Sequence, residues 1–362
     1  MKRRTTIAAA VACAALSLTA ARPASAWWAP GHAVIAMMAY RQMKPATRAA
    51  VDEILRQHPD YKNWLAELPS GVTDAQRGEY AFAIASTWPD RIKDAKDETV
   101  TVKFVNPGDR RSPAPKPYPA NPALYPDLLV HDTWHYLDIP ISMDGKPRTL
   151  PAEESILTAL PTCRGGVAAS YLPGSYRAYY LAWLAHLVGD IHQPLHATGR
   201  FSARVPNGDA GGNAFRFQSS GTPAPPRNLH AYWDSLLGSG PDPDRYNTLK
   251  GGWAELNKTI DAVTAASPRL LAGYDPAARD VTDEAAWLRE SFTVAQQFVY
   301  TFADPDAPGA SGGTLPQPDA AYRAIAERVA HQRAALAAHR LARVCDEAFA
   351  ASAASPPPGP TP

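Results

Sequence analysis

The run His186-Leu-Val-Gly-Asp190-Ile-His192-Gln-Pro-Leu-His196 constrains this chain more than any other stretch. Three histidines and an aspartate fall within eleven residues, at the end of an apolar, helix-forming segment. His186 and Asp190 are four apart, as are His192 and His196, and residues four apart on a helix share a face. An imidazole beside a carboxylate on one face suits Zn²⁺. A single His-x3-Asp pair is better explained by packed or half-exposed histidines. Four such residues in one run, in a chain with only 10 histidines, point to a metal instead, and the other ligands must come from elsewhere.

The chain opens on basic Lys2-Arg3-Arg4, an apolar run from Thr5 to Ala20 and the small-residue signal Ala24-Ser25-Ala26. This is the pattern of an export peptide over residues 1–26, cleaved ahead of Trp27. The apolar run is too short to span a bilayer, and no later stretch is apolar for long enough. A periplasmic or extracellular protein without a membrane anchor is the expectation. Cleavage takes Lys2, Arg3, Arg4 and Arg22 from 36 basic residues, leaving 32 against 35 acidic ones, a net charge of −3 with histidines neutral. That excludes a grip on duplex nucleic acid by phosphate neutralisation alone, although bound metal ions would add positive charge locally. Of the 3 cysteines, Cys13 leaves with the signal. Cys163 and Cys345 are expected to form one disulfide, worth on the order of 5 kcal/mol on a chain-entropy argument. Two buried thiols are the alternative.

Periodicity predicts a mainly α protein, a single-domain helical bundle-like fold over residues 27–350 with a disordered Pro-rich tail at 351–362. Helical stretches are expected at His32–Arg56 (interrupted at Pro45), Asp74–Lys93, Ser175–His192, Asn228–Leu237, Arg245–Leu271, Asp283–Phe302 and Asp319–Phe349. Prolines crowd residues 106–126, which read as an irregular surface loop, and Ala303–Pro318 reads as a linker. The alternation Ala214-Phe-Arg-Phe217 suggests at most a short β-hairpin within Arg200–Gln218.

Further histidines and aspartates come from separate segments. His32 follows Trp27 by five residues, Asp90 closes Ser86-Thr-Trp-Pro-Asp90, and His135 begins His135-Tyr-Leu-Asp138. His230 and Asp234, again four apart, lie in Asn228-Leu-His-Ala-Tyr-Trp-Asp234. Helical bundles build metal sites from inward-facing side chains of this kind. In these motifs, with Gly31-His32 and Asp209-Ala-Gly-Gly-Asn213, the chain resembles the S1/P1 nuclease family of zinc-dependent enzymes. The resemblance runs in order from Trp27 to Asp234; beyond that only the helical character agrees.

The resemblance implies three Zn²⁺ ions clustered in a cleft. Asp90, His135, His186 and Asp190 would hold the first, and His196, His230 and Asp234 the second. The third would take His32, Asp190 as a bridge, and Trp27 through its free α-amine and carbonyl oxygen. An α-amine and its adjacent carbonyl close a five-membered chelate, and only a cleaved terminus has that amine. Zn²⁺ lowers the pKa of bound water to roughly 7. The implied activity is hydrolysis of single-stranded DNA and RNA to 5′-phosphorylated nucleotides, with removal of terminal 3′-phosphates. Single-stranded nucleic acid and 3′-nucleotides are the expected partners, and a monomer the expected state.

The remaining motif residues carry narrower expectations. His192 matches no ligand position and reads as a supporting residue. His58, His131, His331 and His339 read as surface or packing histidines. Lys93 stands one helical turn after Asp90, where the family tends to carry arginine; lysine keeps the charge and loses the bidentate fork. Asp90, Lys93 and Asn213 form the candidate catalytic set. Tyr136 would stack a base and Asp138 would accept hydrogen bonds from the base edge, a core aromatic being the other reading of Tyr136. The Asn213 amide would donate to a phosphate oxygen beside two glycines that admit close approach; a tight turn held by Asp209 is the alternative. Zinc-dependent phospholipase C, a distant relative with a similar cluster, is the alternative function, disfavoured by Asp234 where the phospholipases carry Glu. A non-catalytic zinc protein is disfavoured because the cluster lacks cysteine and leaves positions for water.

Overall fold

The computed structural model describes residues 27–94, 97–106, 123–150, 154–217, 228–238, 249–301 and 314–354. The expected export peptide, most of the proline-rich loop and the last eight residues of the tail lie outside the described residues.

Prolines punctuate the first helices. Helix α1 (Ala29–Gln42) carries Pro30 in its first turn, where no N–H is needed, and Pro45 likewise opens α2 (Pro45–Leu55). A short α3 (Tyr61–Leu65) leads to α4 (Asp74–Ala85), which starts on a capping box between Thr73 and Gln76. The helix expected to continue to Lys93 breaks after Ala85 and resumes as α5 (Trp88–Arg91). Pro89 explains the break: its ring would strike the Ala85 carbonyl four residues back, and it has no N–H to donate. The break leaves the Ser86 carbonyl free for use at the site.

A 3-10 turn (Asp132–His135) precedes β1 (Ile139–Ser142). Helix α6 (Ile156–Ala168) was not anticipated, because Pro161, Gly165 and Gly166 obscure its period. It forms nonetheless: Ser155 and Thr158 make a capping box, and Ile156, Leu160, Cys163 and Val167 bury one stripe. Helix α7 (Gly174–Ile191) is buried from Ala178 to Ile191 at every position but Tyr180, as a helix apolar on all sides must be. It packs on α1, α2, α4, α5 and α6.

A second 3-10 turn (Pro194–Ala197) and β2 (Thr198–Phe201) follow, then β3 (Arg216–Phe217) and α8 (Leu229–Asp234), extended by a 3-10 turn to Leu237. The remaining elements are α9 (Trp253–Leu271), α10 (Pro276–Arg279), α11 (Glu284–Val294) with a π-helical turn (Ala295–Val299), β4 (Thr314–Leu315) and α12 (Ala320–Ala354). Helix α12 packs on α1, α6, α7 and α9, and runs four residues past position 350, into the stretch expected to be tail.

Two expectations are corrected. The hairpin within Arg200–Gln218 is not formed: β2 pairs in parallel with β1, and β3 in parallel with β4. Pairing of β1 with β2 starts where Leu137 N–H donates to the His196 carbonyl (3.0 Å), so the partner is set by residues far apart in sequence. The expected disulfide is not formed either. Cys163 and Cys345 are both free and buried, on α6 and α12, where they pack as small apolar side chains. Burial pushes both thiols up, so they stay protonated. No helix among the described residues is long and apolar enough to cross a membrane.

Candidate metal centre

Eight side chains converge from six elements. His32 comes from α1, Asp90 from α5, His135 and His196 from the two 3-10 turns, His186 and Asp190 from α7, and His230 and Asp234 from α8. None is more than 3% exposed. They form three groups whose ligand atoms lie within 4.8 Å of one another: His32, His186 and Asp190; Asp90, His135 and His186; and His196, His230 and Asp234. His186 serves two groups. Asp190 also spans two, with Oδ2 at 2.9 Å from His135 Nδ1 and Oδ1 at 3.3 Å from His32 Nε2.

Hydrogen bonds decide which nitrogens are available. Nδ1 of His186 donates to the Ser86 carbonyl (2.8 Å), that of His196 to the His135 carbonyl (2.7 Å), and that of His230 to the Gly211 carbonyl (2.7 Å). A carbonyl only accepts, so each Nδ1 carries the proton and each Nε2 presents a lone pair. The Nε2 atoms of His196 and His230 therefore oppose each other at 3.2 Å. Both ring nitrogens of His32, Nε2 of His135 and Oδ1 of Asp190 are buried with no hydrogen-bond partner. Opposed lone pairs and unpaired acceptors are costly in a buried site unless a cation lies among them. The donor set fits divalent metal.

Three of the imidazoles are held in the ligating state. Burial, reinforced by neighbouring histidines and Lys93, holds His32, His135 and His196 well below the ordinary imidazole range, in the neutral form that ligates. For His186, burial lowers the pKa, but Asp190 and Asp90 outweigh it. Burial pushes Asp190 up to about 6 and Asp234 well above the usual carboxylate range. A doubly charged cation reverses these penalties.

Close approaches and a surrounding set of polar contacts hold the groups in place. A Cβ at Gly189 would lie 2.8 Å from His32 Nδ1, so only glycine lets α1 approach α7 there. Gly211 sits at φ +60°, and a Cβ on it would lie 2.5 Å from the Leu195 carbonyl. The turn around it is fixed by Asp209, which accepts from the Arg200 N–H (2.8 Å) and the Tyr300 hydroxyl (2.7 Å). Gln193 donates to Asp234 Oδ1 (2.6 Å) and accepts from the Leu195 N–H (2.6 Å). Trp88 donates to buried Asp60 (2.8 Å), which anchors the turn carrying Asp90. Trp233 donates to the Tyr322 hydroxyl (3.0 Å), which donates to the Val299 carbonyl (2.7 Å).

His192 faces away from all three groups. It donates from Nδ1 to the Val188 carbonyl (2.8 Å) and accepts at Nε2 from Arg340 (3.0 Å), itself paired with Glu290 (2.7 Å). Sequence reasoning assigned no role to Gln193, Asp60, Tyr300, Tyr322, Arg333 or Arg340. Gln193 lies inside the opening motif and could have been asked for a partner. Arg333 and Arg340, seven apart among the alanines of α12, share a face and carried a readable signal of buried charge.

The other expected site residues fall as follows. Trp27 is fully buried; its indole donates to the Gly189 carbonyl (3.0 Å), while Trp28 N–H donates to the Asp234 carbonyl (3.2 Å). Position 27 is thereby pinned between α7 and α8. Lys93 turns inward, its ammonium 2.9 Å from Asp90 Oδ1. Tyr136 and Asp138 are half-buried beside the start of β1. Burial, helped by the charge of Asp209, pushes Asp138 up to about 7. Asn213 donates to the Ala210 carbonyl (2.8 Å), so its amide closes the glycine turn. His58 packs against Trp64 and Trp88, His131 pairs with Asp127 and His339 with Asp280, and none joins a metal group.

A mainly helical protein that gathers three adjoining His/Asp groups at its centre is built in the manner of metal-dependent hydrolases. Residues 27–350 match the S1/P1 nuclease family model, and the chain belongs to that family. It is therefore a nuclease-type phosphodiesterase, a hydrolase of phosphodiester bonds in nucleic acid. The match continues far beyond Asp234, where the sequence motifs stopped. No curated protein is significantly similar to the chain.

Proposed function

We propose that the chain is an exported zinc enzyme, cleaved ahead of Trp27, that hydrolyses single-stranded nucleic acid to 5′-phosphorylated nucleotides and removes terminal 3′-phosphates. The observation that carries this reading is the buried, opposed Nε2 pair of His196 and His230, together with the partnerless ring nitrogens of His32 and Oδ1 of Asp190. Asp90, His135, His186 and Asp190 would hold one Zn²⁺, and His196, His230 and Asp234 a second. His32, Asp190 and the α-amine and carbonyl of Trp27 would hold a third. The burial of Trp27 between the helices of Asp190 and Asp234 supports that last assignment. When bound, such ions polarise phosphoryl oxygens and lower the pKa of a bound water to about 7.

The chain's own residues do the rest. Gln193, Ser86 and Gly211 orient Asp234, His186 and His230 through single hydrogen bonds, so no side-chain search precedes binding. Lys93 places positive charge against Asp90, where phosphate charge would collect. Asp138, with its pKa near neutrality, would hydrogen-bond a base edge while Tyr136 stacks on the base. The test is metal-stripped protein reloaded with zinc, assayed on single-stranded DNA and on phosphatidylcholine micelles. DNA turnover that returns with zinc is the expected result; faster lipid turnover would establish the phospholipase reading. A chain keeping extra residues ahead of Trp27 should bind two zinc ions rather than three by elemental analysis, and full loading would remove Trp27 from the ligand set.

A further inference from the structure

The parallel pair β1–β2 leads away from the metal centre. It begins at the Leu137 N–H to His196 carbonyl bond and continues through Ile139 opposite Thr198 to Ser142 opposite Phe201. Asp138 stands directly ahead of β1, against Gly199 of β2. At the far end of the pair, the Arg148 guanidinium lies over the Phe201 ring, 5.0 Å from its centroid. Asp144 holds that guanidinium in place (3.0 Å), and the Lys146 carbonyl accepts a second hydrogen bond (3.2 Å). The same corner exposes Met143 (57%) and Leu150 (52%), two of the four large apolar side chains exposed among the described residues. Lys146 stands beside them, 72% exposed.

We propose that the Arg148–Phe201 stack is a second nucleotide subsite, which takes the base and phosphate of the residue on the 5′ side of the nucleotide held at Asp138. Exposed apolar surface next to a guanidinium held in place and an exposed ammonium, both paired with Asp144, is chemistry that binds single strands: bases stack and phosphates are neutralised, whatever the sequence. The placement supplies the direction. A base held at Asp138 belongs to the nucleotide whose 3′-oxygen leaves, so the strand running outward along β1–β2 is its 5′ extension. Four residue steps of strand separate Asp138 from Ser142, the residue opposite Phe201, about 13 Å. That is farther than one stacked step of about 3.4 Å, and it suits the next nucleotide of a strand whose bases are splayed apart. Asp144 holds Arg148 over the ring, so little side-chain freedom is lost when a base arrives. This subsite rests on the nuclease reading above, and the experiment separates the two.

Zinc-loaded protein is assayed for inorganic phosphate release from thymidine 3′-monophosphate and from a 3′-phosphorylated trithymidylate with phosphorothioate internal linkages. The wild type should show a lower KM for the trinucleotide. Arg148→Gln and Phe201→Leu should each raise the trinucleotide KM about tenfold, and several-fold more than they raise the mononucleotide KM. Arg148→Lys should recover only part of the loss, because it keeps charge without the plane. Equal effects on both substrates, no effect on either, or no wild-type preference for the trinucleotide would overturn the subsite while leaving the nuclease intact. A wild type that releases phosphate from neither substrate and cuts no single strand would sink the nuclease reading and the subsite with it.

Discussion

Gln193 and His58 show how much a single buried polar group can govern here. Gln193 supplies the hydrogen bond to Asp234 and is itself fixed by the Leu195 N–H. Gln193→Leu should leave the fold intact and weaken metal binding at the His196, His230 and Asp234 group by about 10- to 100-fold, the usual cost of losing such a support. Competition with a chelator would measure it, and an unchanged titration would show that Asp234 orients itself. His58 is enclosed by aromatic rings, and burial lowers its pKa to about 3. Its ordinary value is 6.5, so the unfolded chain binds this proton more readily than the folded one. Stability from His58 is then fully present above pH 6.5 and falls as pH drops toward 3, by up to about 1.4 kcal/mol per pH unit. Urea denaturation of wild type and His58→Gln at pH 7.5 and 5 should show the wild type losing more on acidification. Parallel losses would mean His58 stays neutral in neither state or in both.

Helix boundaries are set by a few local conflicts. Pro89 ends α4 early and thereby releases the Ser86 carbonyl to His186, so a helix break becomes part of the metal centre. Pro161 creates the opposite situation: it lies inside α6 without stopping it, because the stripe from Ile156 to Val167 is buried against neighbouring helices. Pro161 itself is exposed, and it deprives the Leu157 carbonyl of its usual donor. Pro161→Ala should therefore stabilise the protein, by about 1–2 kcal/mol after allowing for the looser unfolded chain. A lower melting temperature in this variant would show that α6 depends on the proline's restricted backbone. Helices α11 and α12 matter for a different reason. Through Tyr322, Arg333 and Arg340 of α12, and Tyr300 just past the π-helical turn that extends α11, they buttress the glycine turn, Trp233 and His192.

In the molecule as a whole, α7 is buried along most of its length and still carries His186 and Asp190 into the core, where two of the three candidate groups meet. Removing metal should therefore be felt globally. Stripping with EDTA should lower the melting temperature, and zinc should restore it by binding the folded state alone, with each tenfold excess over Kd adding about 1.4 kcal/mol. Magnesium should not substitute, because it seeks oxygen ligands and this centre offers five imidazoles. Equal melting curves with EDTA and with zinc would mean that the buried groups satisfy one another without an ion.

His186 and Asp190 were legible as a shared-face pair from spacing alone, because helical geometry converts i, i+4 into one face. The same spacing misled for His192 and His196, since the helix ends at Ile191, His192 turns to Arg340, and His196 joins a different group from the following 3-10 turn. The partners His32, Asp90, His135, His230 and Asp234 were legible as motifs, and the tertiary structure brought them together. Helix α7 could be read from its apolar run, and α6 could not, because tertiary burial overrode a proline and two glycines. The strand at Phe217 could be read from alternation, but its partner β4 could not, because parallel pairing joins segments far apart. Which nitrogen of His186, His196 and His230 stays available was decided by carbonyls at Ser86, His135 and Gly211, none adjacent in sequence to the ring it orients. The candidate ligand types and the phase of the His186–Asp190 and His230–Asp234 pairs could be read from the chain alone, since they follow from residue chemistry and a 3.6-residue turn. Only the tertiary structure decided the free cysteines, the inward Lys93 and the buttress from α12, since each depends on contacts that close over more of the chain than any local pattern spans.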